Sequence, residues 1–160
     1  MKKITLSLLS IGLFLLIGAL SVSAVGDTNN LQLRAAAREK VVELKENRLE
    51  NKLIWASNVQ LRTEIKVKLT QLKENEIVLE DSVKAQLKTL HTELKAIYTT
   101  LKDTKGDIQA LSSGIKALIE AKDWATLKTT YETIIAIQHN RNTLLQEINT
   151  KLTQIKDLLP

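Results

Sequence analysis

The stretch WATLKTTYETIIAIQHNRNTLLQEINTKLTQIKDLL, residues 124–159, decides the fold. Within it Trp124, Leu127, Tyr131, Ile134, Gln138, Arg141, Leu145, Ile148, Leu152, Ile155 and Leu159 follow one another by alternating steps of three and four. A 3.5-residue average lines one face of a helix and is the mark of bundle or coiled-coil packing. Asp123, just ahead of the run, is a residue type that caps a helix by accepting bonds from its free N–H groups.

Working backward, Val83, Leu87, Leu90, Leu94, Ile97, Leu101, Thr104, Ile108, Leu111, Ile115 and Leu118 keep one such register over the middle of the chain. Asp103-Thr104-Lys105-Gly106-Asp107 reads locally as a turn. A loop normally resets the helical phase, however, and here the phase survives. One helix kinked at Gly106 is the favoured reading, with a split there into two helices as the alternative. The first segment, about residues 31–73, is less regular. Leu61, Ile65, Leu69 and Leu72 give its second half an apolar stripe, whereas Arg34 to Lys52 is mostly charged, with Val41, Val42, Leu44 and Leu49 as scattered apolar points. The second half is expected to pack, and the first half to extend or to pack against another copy.

Between Gly26 and Pro160 there are only two glycines, Gly106 and Gly114, and no proline. Strands need turn punctuation that is missing here, and Leu, Lys, Glu, Gln, Ala and Ile are helix composition. Breaks near Lys73-Glu74-Asn75 and Lys122-Asp123 leave short connections, which make successive helices antiparallel. The expectation is an all-α, elongated antiparallel bundle of three long helices, about 31–73, 80–121 and 124–158. The count becomes four if the middle helix breaks at Gly106.

The chain opens differently. Lys2-Lys3, an apolar run from Ile4 to Leu20, and Val22-Ser23-Ala24 form the three-part layout of a secretory signal peptide. Cleavage is expected between Ala24 and Val25, leaving residues 25–160 as one helical domain. The competing reading is an uncleaved anchor, although 17 residues fall short of the about 20 that a bilayer core needs. Both readings put the remainder outside the cytoplasm, extracellular or in a bacterial cell envelope. No cysteine follows to carry a lipid, so the exported chain is expected to be soluble and not to span the membrane.

Composition narrows the chemistry. With no cysteine there are no disulfides, thiolate nucleophiles or thiolate metal ligands. The net charge of +5 falls to +3 once Lys2 and Lys3 leave, and the remaining charges are interspersed. Nucleic-acid binding wants clustered Lys and Arg with stacking aromatics or a groove-reading motif, and neither is present. A pI near 9.4 suits anionic surfaces slightly better. There is no Gly-x-Ser-x-Gly elbow, His-Glu-x-x-His, phosphate-binding Gly-rich loop or EF-hand loop. Only His91 and His139 offer imidazole, 48 positions apart. No catalytic, cofactor-binding or metal residues are expected.

Three residues stand out as candidate partner-binding positions. Gln138 and Arg141 occupy seam positions that favour apolar side chains. Either the seam opens there to water, or the pair is buried and fixes register at some cost in stability, or it recognises a partner. Trp55 lies in the weakly patterned half and is the aromatic expected to be most exposed, a modest hint of a contact surface. Trp124 and Tyr131 read as core.

Leu79-Glu80-Asp81-Ser82-Val83-Lys84-Ala85-Gln86-Leu87-Lys88 resembles the opening of the Leu-Thr-x-x-Gln segment of the Spy/CpxP family of small exported helical proteins. Leu79, Asp81, Lys84, Gln86 and Leu87 fit that segment, while Glu80 stands where the family has Thr and Val83 where it has Gln. The last third, from Ala121-Lys122-Asp123-Trp124 to Asn149, resembles secreted helical proteins of Gram-positive bacteria. The first resemblance implies an ATP-independent chaperone that cradles unfolded clients, or an envelope-stress adaptor that docks on a membrane sensor. The reading that follows is an exported helical binding protein whose partner is a protein or an unfolded polypeptide. The alternative is a structural coiled-coil protein at the cell surface that self-associates as a homo-oligomer.

Overall fold

The last helix organises the molecule, and it begins where the sequence places it. Asp123 accepts a hydrogen bond from the Thr126 backbone N–H at 3.1 Å, and the Thr126 hydroxyl, together with that N–H, holds its carboxyl below the usual carboxylate range. In the computed structural model, which describes residues 28–160, the chain forms α1 (Thr28–Glu74), α2 (Asp81–Ser113), α3 (Ile115–Glu120) and α4 (Trp124–Leu158). Expectations about residues 1–27, including the signal peptide and the Ala24–Val25 cleavage point, lie outside the described residues. No helix of the described residues is long and apolar enough to cross a membrane.

α4 is the middle layer. Leu127, Tyr131, Ile134, Leu145, Ile148 and Leu152 are buried along it, and Ile148 is fully enclosed. Every hydrogen bond between α1 and α4 joins residues 87 to 92 positions apart. A constant separation means that the two run parallel. α2 runs the other way: Arg141 meets Leu101 and Thr104, while Lys151 meets Glu93 further back. α2 and α3 continue one another along one side of α4, so the molecule is an all-α, three-layer helical bundle. No Cα atom of α1 comes within 8 Å of one in α2.

The charged half of α1 does not merely extend. The helix packs on α4 from Ala37 to Leu72. Ala37, Leu44, Asn51, Asn58, Ile65 and Leu72 are buried at strict seven-residue spacing. Half-buried Leu33, Lys40, Asn47, Ile54, Leu61 and Lys68 fall between them. This is a full heptad seam with asparagine and lysine where leucine is usual. Lys68 explains one such choice: its ammonium donates to the Leu159 carbonyl at 2.7 Å and satisfies the C-terminal end of α4.

The middle helix also differs. It passes Gly106 without a break, because Thr104 is buried on one side of the glycine and Ile108 packs on the other. The interruption is at Gly114, where the backbone relaxes to φ −85°, ψ −14° and the Gly114 N–H turns to the Ser112 carbonyl. Buried Ile115 then resumes the same face. At the two tight corners Glu76 and Lys122 adopt left-handed φ of 52° and 56°. In each case the next residue's N–H bonds back five positions, Ile77 to Leu72 and Asp123 to Leu118.

Two apolar cores result. One gathers Ile65, Leu72, Leu94, Leu101, Leu145, Ile148, Leu152 and Leu159. The other gathers Ala37, Leu44, Ile115, Leu127, Tyr131, Ile134 and Ile135.

Candidate functional site

A polar layer divides the two cores. Asn51 on α1 donates to the Gln138 side-chain oxygen at 2.8 Å and to the Gln138 carbonyl at 3.0 Å. One turn on, Arg141 donates to the Leu101 carbonyl at 2.8 Å and to the Thr104 hydroxyl at 2.6 Å. Thr104, itself buried, donates to that same carbonyl. Removal from water lowers the Arg141 pKa, although a guanidinium remains charged at any physiological pH. Gln138 thus ties α4 to α1, and Arg141 ties it to α2. Of the three arrangements open to these residues in the sequence, the geometry is that of a half-buried pair bonded within the bundle. A second polar station lies further along. Asn58 donates to the Leu145 carbonyl and accepts from Asn149, both at 2.9 Å.

Beyond the polar layer the separation of α1 from α2 leaves a groove of about 560 Å³ floored by α4. Leu152 and Ile155 form the floor, with Ile65 and Leu69 on one wall and Leu87 and Leu94 on the other. Arg62, His91 and Lys95 line it as well, so apolar walls carry a basic rim. Groove residues come from three helices at one level because the parallel α1 and the antiparallel α2 approach α4 from different sides.

Arg62 is the centre of one end. Its guanidinium lies 4.5 Å from the centroid of the Tyr98 ring and 5.8 Å from that of Trp55. It therefore bridges one aromatic from α1 and one from α2 by cation–π contact. The Tyr98 hydroxyl is buried without a hydrogen-bond partner in the bundle. Burial raises its pKa, and the adjacent Arg62 partly offsets this. It remains a neutral hydroxyl, enclosed beside the Arg62 cation. Trp55 is 42 % exposed, as the sequence led one to expect.

No family model, curated protein or solved structure matches this chain. The site therefore stands on its own chemistry. Among the described residues no cluster of three histidine, cysteine or acidic side chains is placed to hold a metal ion. What the groove can do is take apolar side chains and meet acidic or carbonyl oxygens at its rim. A second depression, of about 460 Å³ between Lys66 and Glu74, is formed by α1 alone and has no opposing wall.

Of the sequence candidates, the structure brings Gln138 and Arg141 together in the layer and sets Trp55 beside the groove mouth. Arg62, Tyr98 and Lys95 were not singled out from the sequence, and His91 stood out there only as one of two imidazoles. The seven-residue interval from Trp55 to Arg62 was the available signal for one of them, since it places both on the same helical face.

Proposed function

We propose that this chain is an exported helical binding protein that holds polypeptide segments in the groove between α1 and α2. The observation that carries this reading is the trough itself: apolar on floor and walls, with the cations Arg62 and Lys95 beside them. Apolar side chains would gain by leaving water there, at roughly 25 cal/mol per Å² buried. Acidic residues flanking them would be steered by Arg62 and Lys95. Such binding needs no nucleotide, thiol or metal. The resemblance of Leu79–Lys88 to an exported chaperone family points the same way.

The test is to dilute a denatured client into buffer with residues 25–160 at near-stoichiometric ratio, without nucleotide, and to follow aggregation by light scattering. An unrelated helical bundle is the control. Suppression beyond that control, lost in Leu69→Glu, supports holding in the groove. Scattering equal to the control removes the reading. Suppression that survives Leu69→Glu moves the site elsewhere. A structural, self-associating role is the second reading, and the outer face of α1 is the observation that favours it.

A further inference from the structure

The side of α1 turned away from α4 carries a second apolar stripe that nothing among the described residues covers. Val42, Leu49, Leu53, Ala56, Thr63 and Val67 step by seven, four, three, seven and four residues. These are again heptad intervals, held for about 39 Å of helix. The large members are well exposed: Val42 55 %, Leu49 59 %, Leu53 64 % and Val67 50 %. A helix that only needs to bury its face on α4 gains nothing from apolar residues at these positions.

The charges beside the stripe say what covers it. One flank is basic, with Arg38, Lys45, Lys52 and Lys66, and the other is acidic, with Glu43, Glu50 and Glu64. Glu43 and Glu64 are engaged by Lys40 and Lys156. Lys45, Lys52 and Glu50 form no ion pair among the described residues. When two such helices pair in parallel and in register, the basic flank of each lies along the acidic flank of the other, five residues further on. Lys45 then meets Glu50 of the second copy, and Arg38 meets its Glu43. An antiparallel pair would set lysine against lysine and glutamate against glutamate, which is unfavourable.

We infer that two copies of this chain associate through the outer faces of α1, parallel and in register. The interface is a two-helix seam around Leu49 and Leu53 with Lys45–Glu50 pairs on its flanks. Glu46 and Gln60 fall inside the stripe and each faces its own counterpart, so the association is weaker than an all-apolar seam would give. The inference is independent of the groove, which opens on a different face of α1.

The chain has no cysteine, so single replacements report directly on this geometry. Residues 28–160 contain both apolar cores, and residues 25–160 are therefore the form to measure. Leu49→Cys and Thr63→Cys, made separately and oxidised mildly, should each give a disulfide-linked dimer, while the exposed control Lys102→Cys should not. Sedimentation should show a concentration-dependent dimer that Glu46→Leu tightens by about tenfold or more and Leu49→Glu abolishes, with helicity unchanged. A chain that stays monomeric at every concentration and does not cross-link overturns the inference. Cross-linking at only one of the two cysteines overturns the parallel, in-register arrangement.

Discussion

Asn58 and Arg141 are both polar residues at seam positions, yet their replacement has opposite consequences. Asn58 is 1 % exposed, and both ends of its amide are bonded at 2.9 Å. Asn58→Ala removes those bonds and opens a small void, a loss of about 1–3 kcal/mol. In a domain of this size that is a fall of several degrees in Tm by thermal unfolding. Arg141 instead brings a charge into the bundle, and its acceptors do not need it. The Thr104 hydroxyl already donates to the Leu101 carbonyl at 2.7 Å, so Arg141→Leu leaves no buried group orphaned. Exchanging a half-buried guanidinium for an apolar side chain is often neutral or favourable. The expected Tm of Arg141→Leu is therefore equal to or above that of the wild type. A drop as large as that of Asn58→Ala would mean that Arg141 contributes net stability as well as linkage between helices.

At the scale of elements, Gly106 tests the account of the middle helix. The helix is continuous there, and a Cβ at Gly106 would meet nothing within 4 Å. Gly106→Ala should raise stability by about 0.8–1 kcal/mol, read as a higher unfolding midpoint with an unchanged denaturant slope. A loss would show that a bend at this point is needed. Which elements were legible in the sequence follows from what their seams are made of. α4 and α2 wear apolar side chains at most inward positions, and the registers read from Trp124 to Leu159 and from Val83 to Leu118 are the inward faces observed. α1 hides its seam because Asn51 and Asn58 take places that a search for apolar periodicity skips. A buried asparagine becomes recognisable only when its partner is known, here the Gln138 side chain and the Leu145 carbonyl. Gly114 escaped notice for a related reason: Ile115 preserves the phase across it. The groove was not legible because a heptad states that a face is buried without stating against what. Leu69 and Leu87 are 18 positions apart in sequence and become opposing walls only because α1 and α2 sit on different sides of α4.

At the scale of the whole molecule, α1 presents three separate surfaces on three parts of its circumference. Its buried seam joins α4, Arg62 and Leu69 line the groove, and Val42 to Val67 face outward. A helix of 47 residues that is apolar on several sides has an unusual reason for its mixed composition. The charged residues between these strips keep them from merging into one sticky surface. Separation on the surface predicts separation in function. Leu49→Glu should abolish dimer formation yet leave suppression of client aggregation intact, because Leu49 does not line the groove. Leu69→Glu should do the reverse, losing suppression while sedimenting as wild type. Both variants change exposed positions, Leu49 at 59 % and Leu69 at 45 %, so the thermal midpoint should stay near that of the parent and certify the comparison. Loss of holding in Leu49→Glu would instead mean that the groove works only when two copies stand side by side. In that case the dimer, with its two parallel α1 helices, would be the binding unit.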